Sequence, residues 1–109
     1  MSNLNKLLDD LNSLQDERIN LSKNHHNLKS VQNLDEVREY LKAHERIQSI
    51  TEEMIKKTGE AISLTTGEQR EYLTRRLDQN LPILAKAKDN VLLLRATEKR
   101  ILSTNILKN

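Results

Sequence analysis

At 109 residues, 36% hydrophobic and 31% charged, the chain has the length of one domain. Its apolar content suffices only for a thin core, as in elongated helices wrapped by solvated surface. Two Tyr with no Phe or Trp, and only two Gly and one Pro, argue against an all-β fold, while the lack of Cys excludes disulfides, thiolate metal sites and cysteine nucleophiles. The net charge of +2 is too small to imply nucleic acid, and with no window of about 18 apolar residues a cytoplasmic location is expected, without membrane span or signal peptide.

The first element is written as a heptad. Leu7, Leu14, Leu21 and Leu28 fall seven apart, Leu4 and Leu11 complete the seam, and Arg18 and His25 replace leucine further along it. The polar run Ser22-Lys-Asn-His-His-Asn ends this helix, so a span of roughly 3–24 is predicted.

Asn33-Leu-Asp-Glu36 reads as a second helix start, with Asn33 as cap, Glu36 as its capping-box partner and both acids at the positive end of the helix dipole. Val37, Leu41, His44, Ile47, Ile50 or Thr51, Met54, Ile55, Ala61 or Ile62 and Leu64 then step by threes and fours, which predicts a helix over 34–64. Thr65-Thr66-Gly67 should end it, with Gly67 in the left-handed conformation. Thr65 with Glu68, or Thr66 with Gln69, then offers a capping box for the next helix.

A third helix is predicted over 68–106. Its stripe of Tyr72 or Leu73, Leu77, Leu81, Leu84, Ala87, Val91, Leu94, Ile101 or Leu102 and Ile106 keeps phase across Pro82. That phase favours one helix kinked near Pro82, although an interior proline costs about 3 kcal/mol and a fresh start there competes. Short connections make sequential helices antiparallel, so the expected fold is all-α: an antiparallel three-helix bundle with coiled-coil-like packing, as a single domain over 1–109. Residues 31–69 carry five bases against eight acids and residues 70–109 nine against four, so pairing between the second and third helices is expected to absorb much of this asymmetry.

No catalytic constellation emerges. The paired acids Asp9-Asp10, Asp16-Glu17 and Glu52-Glu53 diverge by about 100° on a helix, and no nucleophile elbow, phosphate loop or glycine fingerprint is present. His25, His26 and His44 lack the spacing of a metal site and read as polar loop or seam positions. The expectation is a non-enzymatic protein with no cofactor and no metal.

The run Val91-Leu92-Leu93-Leu94, followed by Ile101-Leu102 and Ile106-Leu107, is wider than one stripe requires. Either packing from two neighbouring helices covers the surplus or it is a docking surface. The partner-binding candidates are therefore Leu92, Leu93, Ile106 and Leu107, with Arg95 and Arg100 beside them, and the expected partner is another protein, itself helical, or a second copy in a homodimer. Arg70, Arg75, Arg76, Lys86, Lys88, Arg95, Lys99 and Arg100 form partial basic stripes, but Glu71, Asp78, Asp89 and Glu98 interleave them and stacking aromatics are missing, which disfavours nucleic acid. Two rival readings remain: a structural subunit that self-associates through the first-helix seam, and a weak nucleic-acid binder.

In layout, a small, cysteine-free, aromatic-poor chain of long amphipathic helices looks like the bacterial flagellar and type III export chaperones, and the run Leu84–Ile106 is similar in pattern to their client-binding helix. That resemblance implies a protein that holds the helical terminus of a client, and it carries no particular residue with it.

Overall fold

The computed structural model describes residues 3–108, with side chains over 3–104. Helix α1 spans Asn3–Asn24, α2 Leu34–Ile62 and α3 Gly67–Lys108, and a 3-10 turn at Leu28–Ser30 lies between the first two. No strand occurs among the described residues. The expected all-α three-helix bundle is what forms. Central helix α2 packs against both neighbours, whereas the backbones of α1 and α3 scarcely approach each other. Ion pairs fix the antiparallel registers: Asp10 with Lys57 and Glu17 with Arg46 between α1 and α2, Glu45 with Arg95 and Arg38 with Glu98 between α2 and α3.

The leucine seam of α1 turns inward. Leu11 is fully buried against Ile50 and Met54 of α2, with Leu8, Leu14 and Leu21 packed around them. Burying one such side chain stabilises the fold by about 1.5–3 kcal/mol. Past the polar end of α1, Leu28 and Val31 come back to the bundle and join Val37, Leu94 and Ile101 in a second cluster. The 3-10 turn that makes this return was not anticipated from the sequence.

Asn33 caps α2 as expected, its Oδ1 accepting from the Glu36 N–H at 2.9 Å. Glu36 also reaches back, but its carboxylate accepts from the Asn33 side-chain amide at 2.7 Å rather than from the backbone. Because α2 has two neighbours, its buried face is wide, and Ile50 and Thr51 are both enclosed. The Thr51 and Thr58 hydroxyls donate to the carbonyls of Ile47 and Met54 one turn earlier, so their protons are satisfied within the helix.

Gly67 has φ of 63°, the left-handed geometry expected of it, but it stands at the entry to α3, three residues beyond the turn that closes α2 at Ser63 and Leu64. The Thr65 hydroxyl donates back to the Ile62 carbonyl at 3.1 Å, and no hydrogen bond to it from α3 is seen among the described residues. Helix α3 runs without interruption through Pro82. Leu73, Ala87, Val91 and Leu94 form its buried line, as predicted, but Leu81 is 51% exposed and Asn80 is buried in its place. The bundle measures 63 × 20 × 17 Å. Its long axis matches the length of α3, whose 42 residues at about 1.5 Å each outrun the 29 of α2.

Charge pairing between α2 and α3 is sparser than the composition suggests. Arg95 with Glu45 joins a base of α3 to an acid of α2, while Arg38 with Glu98 has the opposite polarity. Most of the basic side chains of α3 therefore remain on its surface.

Candidate partner-binding surface

The surplus apolar width of α3 is left uncovered by the bundle. Leu92 is 63% and Leu93 54% exposed, so packing from two neighbouring helices does not account for them. The reason is geometric. Leu94 and Val91 both face α2, and residues between them on a helix, offset by about 100° each, must point outward. Leu81 lies three turns before Leu92 on the same outward line, with exposed Ala85 and Ala96 alongside. Leucines and alanines thus share this line with exposed Lys88 along one uninterrupted helix, a relief that a partner helix can seat against. The spacing of Leu81 places it on the apolar stripe, but the structure turns it outward, and the residue that takes the inward place is Asn80, whose amide finds partners inside.

Arg95 flanks this line, and its guanidinium donates to Glu45 at 2.9 Å, so it is engaged by α2 rather than free. Arg100 is exposed and forms no ion pair among the described residues. Ile106 and Leu107 lie outside the residues whose side chains are described. The structure thus brings Leu92, Leu93 and Arg95 to one stretch of α3 and adds Leu81 to them.

A second surface lies between α1 and α3. Arg18, at a seam position where leucine would fit, sends Nη1 to Thr51 Oγ1 of α2 at 3.2 Å and to Asn80 Oδ1 of α3 at 2.7 Å. The Asn80 amide donates to the Arg76 carbonyl at 3.1 Å, and Arg76 Nη2 donates to Gln15 Oε1 at 2.7 Å. Burial holds the Arg18 guanidinium below its ordinary pKa, and repulsion from Arg76 adds to the effect. In the sequence Arg18 marks only a weak point of the heptad.

The histidines belong to the joint between α1 and α2. His44 is buried, with Nε2 2.8 Å from the His25 carbonyl and Nδ1 without a partner. His25 meets the Tyr40 ring edge-on at 5.1 Å and lies 3.5 Å from Glu39. His26 is exposed, its Nδ1 3.0 Å from the Lys23 carbonyl. No group of three His, Cys, Asp or Glu suited to a metal ion occurs among the described residues. Among the described residues, no helix is long and apolar enough to cross a membrane. No family model matches the sequence, and neither a curated protein nor a solved structure resembles it closely enough to lend it a relative.

Proposed function

We propose that this chain is a non-enzymatic helical binding protein that seats a helical segment of another protein lengthwise along the outer face of α3. The observation that carries this reading is the exposure of Leu92 and Leu93, each more than half open on a helix whose opposite face already fills the core. Contiguous apolar side chains of this size on the surface of a small domain favour association, because removing them from water stabilises a complex by roughly 25 cal/mol per Å². A client chaperone would use such a face, the role that the resemblance in helical layout to export chaperones implies.

Self-association through the leucine seam of α1 is less well supported, since Leu11 is fully buried and Leu8, Leu14 and Leu21 pack around it inside the bundle. A second copy could still occupy the outer face of α3. The test is Leu93→Asp, with helicity checked by circular dichroism, molar mass followed across dilution, and co-purification of the partner from the native cell. The reading expects association to be lost while the fold survives. If both self-association and partner capture persist in a folded variant, the outer face of α3 is not the binding surface.

A further inference from the structure

Among the described residues the half-buried basic side chains are Arg18, His25, Lys57 and Arg76. His25 and Lys57 each face a carboxylate, Glu39 at 3.5 Å and Asp10 at 3.3 Å. Arg18 and Arg76 face none: their bonds go to Thr51, Asn80 and Gln15, all neutral. Two guanidiniums drawn partly out of water and set near each other without a counter-ion are unfavourable in the free protein. In a chain with 16 acidic residues, the arrangement calls for a reason.

The surroundings supply one. Arg18, Arg76, Asn80, Gln15 and Tyr72 line a cavity of about 190 Å³ between α1 and α3, with the Tyr72 ring 5.8 Å from the Arg76 guanidinium. Two further cavities continue along the same groove, sharing Ile83 with the first, and bring in Lys23, His26 and Lys86. No Asp or Glu lines any of the three. The bonds formed by Arg18 and Arg76 use one terminal nitrogen of each, so the remaining N–H groups are available in the fork geometry that suits two oxygens of one anion.

We infer that Arg18 and Arg76 together bind an anionic oxygen group, a phosphate or a carboxylate, that enters the α1–α3 groove. The anion supplies the missing counter-charge and accepts from both guanidiniums. It arrives either as a free small ion or as an acidic side chain on a helix laid in the groove. The site is separate from the outer face of α3, and neither depends on the other.

The test follows the arginine Nε–H resonances of the full chain by NMR. Inorganic phosphate is titrated in one arm. In the other, an amphipathic helical peptide carrying Glu on its polar face is compared with its Gln counterpart. Arg76→Gln is the primary variant, because Arg18 also ties the helices together; Arg76→Lys retains charge without the fork. A saturable shift at Arg18 and Arg76, weakened about tenfold or more in Arg76→Gln, supports the site, one lost charge-assisted bond being of that size. Response to phosphate identifies a free ion as the source, and response to the Glu peptide alone identifies a partner side chain. Absence of a saturable shift in both arms, or an equal shift in folded Arg76→Gln, overturns the proposal and leaves Arg18 as a purely structural tie.

Discussion

Arg18 and Asn80, 62 residues apart, are joined by a 2.7 Å hydrogen bond that links α1 to α3 over the middle of α2. Since the two outer helices have little backbone contact of their own, this bond and the neighbouring Arg76 to Gln15 contact hold that side of the bundle together. Asn80→Ala removes an acceptor from a half-buried guanidinium and leaves its own cavity. A loss of about 1.5–3 kcal/mol in urea unfolding is expected, the size for a hydrogen bond to a charged group. A change within experimental error would mean that solvent replaces the amide at no cost.

Core and surface leucines should separate cleanly. Leu11→Ala, at a fully buried position, is expected to cost about 2–5 kcal/mol, whereas Leu92→Ala should stay within about 0.5 kcal/mol of wild type. Chemical denaturation of the two variants side by side makes the comparison. Equal losses would place Leu92 in a packed environment and remove the basis for a docking face on α3.

The two glycines should respond in opposite directions. Neither has a neighbour within 4 Å of an added Cβ, so backbone conformation alone decides the outcome. Gly59 is interior to α2, and Gly59→Ala should stabilise by about 0.5–1 kcal/mol. Gly67 has φ of 63°, where an L side chain is disfavoured by about 1–2 kcal/mol, so Gly67→Ala should destabilise. Thermal unfolding of both variants gives the signs directly.

Acid should act through the Glu17 and Arg46 pair. A bidentate hydrogen bond from Arg46, at 2.7 and 2.9 Å, holds the Glu17 carboxyl below its ordinary pKa. A depressed folded value means that the contribution is fully present above the carboxylate range of the unfolded chain and is lost as pH falls through the folded value. Stability measured between about pH 5 and pH 2 should therefore fall less steeply in Arg46→Gln than in wild type. Parallel profiles would show that the exposed pair has no net effect.

Much of the fold was legible because its signals are periodic and local. The heptad from Leu4 to Leu21, with the polar run that follows it, marked α1, and Asn33 with Glu36 marked the start of α2 to the residue. Less legible was everything decided across helices. Leu81 and Asn80 are adjacent in sequence and about 100° apart around the helix, and the amide's partners on α1 and α3 mark Asn80 as the one that turns inward. Arg18 reads as a flaw in a leucine seam until Thr51 and Asn80 are seen to surround it. The exposure of Leu92 and Leu93 was an open alternative in the sequence, since a run of four apolar residues is equally compatible with burial between two helices.

The central claim is that the outer face of α3 is where a partner helix binds, and site-specific photocrosslinking in the native cell tests it most directly. A photoreactive residue is placed in turn at positions 81, 92 and 93, with exposed Asn12 of α1 and Glu52 of α2 as control positions. A single protein species crosslinked from 81, 92 and 93 but not from the controls is the predicted result, whether that species is a foreign protein or a second copy of the chain. Equal crosslinking from all five positions, or none from α3, would contradict the account.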